Sequence, residues 1–405
     1  MTMHLETLPT DLPPLRSFRL GALDAGLYAH FGKPTRPDLT LIASEADCAA
    51  AAVFTTNLVK AAPVLLDQAH LAAEPSAIRA VLINTASANA CTGERGLANA
   101  AQCAAWTAEA LGCRKEQVLV MSTGVIGTHL PMSRMQAGIQ QLAEQLSDAP
   151  EAWQAAARAI MTTDTKPKLA YGTFGSAALI GIAKGAGMIA PNMATMLSVI
   201  ATDAYIAPDL LQAMLRRAVD RSFNCIVVDG DMSTNDTVLV MANGVSGVTV
   251  DEQNGARFEA MLTELCTQLA QAIVRDGEGV TKFITLHITG ARSVAEARQI
   301  GNVIATSALV KTAFYGGDPN WGRILAAAGR AGVPLDPARL SLWYNDFQLV
   351  ADGAPLNYDE ARAKLHAQQR ELSVRLDLGL GGAEATLWTC DLSHDYVSIN
   401  GHYRT

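Results

Sequence analysis

Lys184-Gly185-Ala186-Gly187-Met188-Ile189-Ala190-Pro191-Asn192-Met193-Ala194-Thr195-Met196-Leu197 sets two glycines, a proline and a threonine immediately ahead of a β-prone run. Gly185 and Gly187 permit a tight backbone path, while Pro191 fixes its own φ and restricts Ala190. A threonine hydroxyl is a weak nucleophile until a neighbouring base takes its proton. An N-terminal threonine carries that base itself, because an α-amine with a pKa of roughly 7.7–8.0 is substantially neutral near pH 8. If the Ala194–Thr195 bond is cut, after attack of the threonine hydroxyl on the Ala194 carbonyl, the chain is an enzyme that needs no histidine. By spacing alone, Thr195 is also what begins a buried strand after a loop.

Working outward, short β-branched runs bounded by turn residues predict strands at Ala80–Asn84, Gln117–Ser122, Ala178–Ala183, Met196–Thr202, Cys225–Asp229, Thr237–Ala242 and Phe283–Thr289. Between them, Leu97, Ala101, Ala104, Ala108 and Leu111 recur at helical spacing, as do Phe258, Leu262, Leu265, Leu269 and Ile273 ahead of Gly277. The alternation predicts an α/β protein, and 405 residues suffice for two lobes. Weak internal boundaries are suggested after the helical stretch 151–160 and near Gly290-Ala291-Arg292.

A net charge of −8 without a basic cluster argues against nucleic acid and anionic membranes as partners and favours small polar metabolites. The amino terminus lacks the basic start and apolar run of a signal peptide. No stretch approaches a membrane span, because Lys184, Pro191 and Asn192 interrupt the best candidate. The seven cysteines contain no Cys-x-x-Cys pair and read as reduced buried thiols of a cytoplasmic protein. Nucleotide-binding and zinc motifs are missing from the sequence, and no cofactor or metal is expected. Asp229, Asp231 and Asp236 lack calcium-loop spacing and read as loop caps.

Further motifs accompany the threonine run in order. They are Phe54-Thr55-Thr56-Asn57 with Lys60-Ala61-Ala62-Pro63-Val64, Asn89-Ala90-Cys91-Thr92-Gly93, Ser122-Thr123-Gly124-Val125-Ile126-Gly127 and Thr162-Thr163-Asp164-Thr165. Asp229-Gly230-Asp231-Met232-Ser233-Thr234-Asn235-Asp236, Asp276-Gly277-Glu278-Gly279, Gly317-Asp318-Pro319-Asn320-Trp321-Gly322-Arg323 and Asp395-Tyr396-Val397 before Asn400 complete the set. Across almost its whole length the chain resembles the ornithine acetyltransferase family of arginine biosynthesis.

That resemblance implies a layered α/β sandwich shared with some self-cleaving aminopeptidases. It implies self-cleavage into an alpha chain, residues 1–194, and a beta chain, residues 195–405, which together form one catalytic unit assembled as an α₂β₂ heterotetramer. Thr195 is then the nucleophile that carries acetyl from N-acetylornithine to glutamate, with Thr123 and Gly124 as the oxyanion hole. Substrate contacts fall on Thr162, Lys184, Thr195, Glu278, Asn400 and Thr405. Lys184 is suited to bind an α-carboxylate or to lower the pKa of the Thr195 amine, and Glu278 to meet an ammonium group. Acetyl-CoA as a second donor is left open. So are a hydrolase or aminopeptidase that gives its acyl group to water, and an uncleaved metabolite-binding protein. One departure stands out. Asn84-Thr85-Ala86-Ser87-Ala88-Asn89-Ala90 replaces a glycine and an asparagine of the family's usual Asn-Ser-Gly-Asn-Ala-Asn-Ala, which bears on acceptor preference.

Overall fold

The computed structural model describes residues 11–190 and 196–402. Ala194, Thr195 and Thr405 therefore lie outside the described residues. The strands in chain order are β1 (Phe18–Leu23), β2 (Leu39–Phe54), β3 (Ile78–Asn84), β4 (Val118–Ser122), β5 (Lys168–Phe174), β6 (Ala177–Lys184), β7 (Leu197–Thr202), β8 (Tyr205–Ile206), β9 (Thr237–Ala242) and β10 (Thr249–Val250). They continue as β11 (Phe283–Ala291), β12 (Ser341–Tyr344), β13 (Phe347–Ala351), β14 (Ala354–Pro355), β15 (Glu371–Asp377) and β16 (Ala383–Cys390). One sheet runs β4-β3-β2-β9-β7-β6-β5 with β1 paired to β2, and a second runs β14-β13-β12-β15-β11-β16.

Strand β2 joins the two halves of the larger sheet. Its first half pairs with β1 and β3, its register shifts between Ala43 and Cys48, and Ala49 to Phe54 then pair with β9. Alternate residues of a strand point to opposite faces. Thus Leu179 and Ala183 of β6 join Ile200, Val238 and Val240 under the helices Pro208–Asp220 and Gly255–Arg275. Ile180 and Ile182 join Val199, Leu239 and Met241 on the other face, against the helix Pro150–Ala159. With both faces covered, β6 and β7 are buried throughout, which is why their sequences are continuously apolar rather than alternating. Gly181 of β6 lets the helix approach, since a Cβ there would sit 2.8 Å from Leu265. The second sheet packs Ile284, Leu286 and Ile288 against the helices Val294–Ala305, Ala308–Gly316 and Trp321–Gly329.

The α/β class and six of the seven expected strands are present. Residues 225–229 are the exception. Phe223–Cys225 forms a short 3₁₀ turn, after which Ile226 makes a single bridge to Trp388 and the Val228 N–H donates to the Ile189 carbonyl at 2.9 Å. This apolar stretch bonds to β16 on one side and to the 189 turn on the other, so its hydrogen bonds go to two different partners instead of one ladder. The helix Gly93–Leu111 buries Ala104 and Ala108 as its spacing predicts, but its buried face is rotated: Leu97 is 41% exposed, whereas Gly96, Ala100 and Cys103 are buried. Asn89 and Thr92 pack over Gly96, and the Asn89 side chain donates to its carbonyl at 2.9 Å, so the helix rests on its smallest residues. Gly277 is not left-handed; the helix Gly255–Arg275 ends at Asp276, whose carboxylate turns back to the 165–168 segment. Neither suggested boundary divides the fold. Gly290 and Ala291 lie inside β11, and the helix after Ala149 leads into β5 of the same large sheet. Of the cysteines, Cys91 is exposed and Cys113 half-buried, while the other five are buried as expected; all are free thiols.

Ala86, in the Asn84–Ala90 segment singled out above, is 2% exposed and left-handed, with φ 72°. Left-handed backbone costs a residue with a Cβ about 1–2 kcal/mol, against about 0.5–1 kcal/mol for the extra freedom a glycine loses on folding. Ala86→Gly is therefore expected to raise unfolding free energy by about 0.5–1 kcal/mol in chemical denaturation. A fall would show that packing of the Ala86 methyl outweighs the backbone strain.

Candidate active site

A cavity of about 300 Å³ opens where β4, β6 and the carboxyl-terminal helix His394–His402 converge. Thr123, Gly124, Thr162, Lys184, Glu278 and Asn400 all line it, so six residues named from the sequence, drawn from five separate segments, meet at one place. Thr195 and Thr405 lie outside the described residues, but Met196, the next residue after Thr195, is described and buried.

The floor is built by two loops that lock together. Thr123 donates its N–H to the Asn84 carbonyl at 3.0 Å and Val125 donates to the Ala86 carbonyl at 3.2 Å. Between them Gly124 has φ 131°, and a Cβ there would fall 2.4 Å from the Ala86 carbonyl carbon, so only glycine fits. Among the described residues the Gly124 N–H has no acceptor. The Asn84 side chain donates to the Ser87 carbonyl at 3.0 Å and accepts from Ser122 Oγ at 2.6 Å. Asn235 Nδ2 bridges the carbonyls of Ala88 and Ser122 at 2.7 and 2.8 Å. These side-chain amides hold the Gly124 N–H in place.

Lys184 ends β6 with only 3% of its surface exposed, and its Nζ donates to Thr123 Oγ1 at 3.1 Å. An ammonium can only donate, so the Thr123 oxygen is the acceptor and its own proton is free to point elsewhere. Burial pushes the Lys184 ammonium below its usual range, opposed by Asp164, Asp236 and Glu278. The fold thus makes Lys184 a buried partner of Thr123 that still lines the cavity.

Glu278 and Asn400 form the opposite side. Asn400 Nδ2 donates to Glu278 Oε2 at 2.7 Å, and Glu278 donates its N–H to the Ala186 carbonyl at 2.9 Å. Gly187 makes this possible, because a Cβ at that position would sit 2.4 Å from Glu278 Oε2. Asn400 thus belongs to a helix and not to a loose tail. Asp229 caps the 188–189 turn, accepting the N–H groups of Met188 and Ile189 at 2.6 and 2.8 Å, and accepts from Tyr396 Oη at 3.3 Å. Burial, then the Asp229 charge, raises the Tyr396 phenol. Asp236 accepts the Met196 N–H at 2.7 Å, while its other oxygen is buried with no partner among the described residues. Burial drives this carboxyl well above the usual range, opposed by the Met196 N–H and Lys184.

Residues that the sequence did not mark lie one layer further out. Asp164 accepts from Lys168 Nζ at 2.7 Å, from the Gly185 N–H at 2.6 Å and from the Thr162 N–H at 2.9 Å. Lys168 also donates to Asp276 at 2.7 Å. Burial alone would raise the Asp164 carboxyl, but Lys168 and Lys184 outweigh it and hold it well below the ordinary range. Asp164 and Asp276 both stand in motifs noted above. Their pairing through a lysine 108 residues from Asp276 has no local signal. Among the described residues no helix is long and apolar enough to cross a membrane.

A family model described as the ArgJ family matches residues 22–405. The arginine biosynthesis bifunctional protein ArgJ of Geobacter sulfurreducens is 48% identical over 399 residues, covering 96% of this chain and 100% of the relative. The protein of the same name from Methylococcus capsulatus is 49% identical over 403 residues, 97% of each chain. Among solved structures, the arginine biosynthesis bifunctional protein of Bacillus halodurans is 37% identical with a TM-score of 0.48, covering 50% of this chain and 96% of its own. The ornithine acetyltransferase of Mycobacterium tuberculosis, complexed with ornithine, is 34% identical with a TM-score of 0.38, covering 44% and 92%. Matched by the family model over almost its whole length, and nearly half identical to relatives along almost all of theirs, the chain belongs to the ArgJ family and is an acetyltransferase of arginine biosynthesis that acts on small-molecule substrates.

Proposed function

We propose that the chain cleaves itself between Ala194 and Thr195 and then moves acetyl from N-acetylornithine to glutamate through an ester on Thr195. The observation that carries this is the juxtaposition of a Gly124 N–H without an acceptor among the described residues and a Thr123 hydroxyl, polarised by Lys184 at 3.1 Å, in the cavity that also holds Thr162, Glu278 and Asn400. In self-cleavage the Thr195 hydroxyl attacks the Ala194 carbonyl carbon. The oxyanion that forms is stabilised by Gly124 and Thr123, the C–N bond breaks as the nitrogen takes a proton, and water opens the ester. The freed α-amine then serves as base. Thr195 Oγ attacks the acetyl carbonyl of N-acetylornithine, ornithine leaves with a proton on its α-nitrogen, and the α-amine of glutamate takes the acetyl group from the ester.

One oxyanion site serves all three steps, since each passes through a tetrahedral centre on the same oxygen. Glu278 and Asn400, opposite Thr123, suit an ammonium group of the substrate. Strands β6 and β7 are paired from Leu179 with Thr202 to Lys184 with Leu197, so a cut between them leaves each fragment contributing a strand to one sheet. That supports fragments 1–194 and 195–405 as a single unit. The relatives are named bifunctional, and acetyl-CoA as a second donor is the corresponding proposal for this chain. An α₂β₂ assembly in the cytoplasm is part of the same proposal.

Intact-mass spectrometry of denatured protein should give two fragments meeting at Ala194 and Thr195. The second should gain one acetyl group on brief exposure to N-acetylornithine and lose it to glutamate. A single uncleaved mass overturns the mechanism, and release of acetate without transfer would make the enzyme a hydrolase. Native mass should correspond to two copies of the 42.8 kDa chain; one copy would remove the tetramer.

Lys184→Met should separate stability from activity. Because the folded ammonium titrates below its unfolded value, burying its charge costs stability at pH below the folded pKa, and that cost fades as pH rises through it. The variant is therefore expected to be at least as stable as wild type at pH 7, with any gain shrinking at alkaline pH. Its kcat/KM should fall by about 10²–10³, the usual loss for weakening an oxyanion donor. Unchanged transfer kinetics would remove Lys184 from the mechanism.

A further inference from the structure

The turns carrying Thr162, Gly185 and Glu278 come from distant parts of the chain, and a single buried ammonium ties them together. Lys168 is 1% exposed, and its Nζ lies 2.7 Å from Asp164 Oδ1, 2.7 Å from Asp276 Oδ2 and 3.2 Å from the Lys166 carbonyl. An ammonium has three donors, so all are committed. Asp164 uses its remaining capacity on the backbone of the first two turns, accepting the Thr162 N–H at 2.9 Å and the Gly185 N–H at 2.6 Å. Asp276 accepts the Thr165 and Lys166 N–H groups at 3.0 and 3.2 Å and the Thr165 hydroxyl, and stands just ahead of Glu278. Glu278 in turn donates to Ala186 at 2.9 Å, closing the circuit. Lys168, Asp164 and Asp276 are not among the residues lining the cavity, so the cluster can reach a substrate only through the backbone it holds.

Building on the acetyl-transfer reading of the cavity, we propose that Lys168 is the positioning residue of the substrate site, setting Thr162 through Asp164 and Glu278 through Asp276. Substrate affinity in both half-reactions then depends on a cation that touches neither substrate. The oxyanion floor is held by Asn84 and Asn235, and Lys168 reaches it only through the Gly185 N–H held by Asp164, so self-cleavage is expected to survive its loss. Removing the ammonium leaves two carboxylates facing each other without a counter-ion, and their mutual repulsion pushes the two turns apart.

The test compares Lys168→Met with wild type in cleavage, by intact mass, and in steady-state transfer with each substrate varied. KM for N-acetylornithine and for glutamate should both rise at least about tenfold, as small displacements of positioned groups do, while kcat changes little and the fragments still form. Should Lys168→Met fail to fold, the triple variant Asp164→Asn, Lys168→Met, Asp276→Asn removes the unpaired charges but still lacks the ammonium bridge between the two turns, and the same rise in both KM values is expected. Unchanged KM for both substrates, a loss confined to kcat, or a parallel loss of cleavage in the variant that folds would overturn the proposal. Wild-type protein that neither cleaves nor transfers acetyl would instead overturn the reading of the cavity.

Discussion

A charge taken out of water must be paired, because an unpaired buried ion costs several kcal/mol. Around this cavity that rule does most of the organising. Lys168, 1% exposed, is paired with both Asp164 and Asp276, while the buried Lys184 donates to Thr123 Oγ1 and feels the charge of Asp164 from farther off. Each carboxylate also accepts backbone N–H groups from turns that would otherwise leave those donors buried and unsatisfied. The result is a group of turns that can shift only together, which is what a site with two successive substrates requires.

A second constraint is steric. The cavity floor depends on Gly124 passing within contact distance of the Ala86 backbone, and on a left-handed residue at position 86 to turn the partner loop. Here that residue is alanine. The strain is local, the pairing of the two loops survives, and the Gly124 N–H keeps its direction. Gly187 plays the matching part on the other wall by making room for the Glu278 carboxylate. The glycine pattern of the chain is therefore a record of close approaches as much as of turns.

The large sheet supplies the rigidity behind both. Strand β2 spans the break between its halves, and β6 and β7, sealed on both faces, end as a pair at Lys184, which lines the cavity, and Leu197. Asp236 accepts the N–H of Met196, just ahead of β7, at 2.7 Å, so the residue proposed as nucleophile adjoins one of the best-buried elements in the molecule.

Periodicity and composition alone determined the α/β class, six strands and the existence of the long helices, because those depend on local patterns of apolar residues. Family motifs also named Thr123, Gly124, Thr162, Lys184, Glu278 and Asn400, which the fold gathers into one cavity. Three things were beyond sequence. The rotation of the buried face of the helix Gly93–Leu111 toward Gly96, Ala100 and Cys103 follows from Asn89 and Thr92 packing on Gly96. The stretch after Cys225 bonds to β16 and to the 189 turn instead of to one ladder, since hydrogen-bond partners are chosen by neighbours in space. The ion cluster of Lys168, Asp164 and Asp276 was invisible because Coulomb attraction depends on distance through the folded protein and on exclusion of water. Residues 108 positions apart acquire both only when the chain has closed around them.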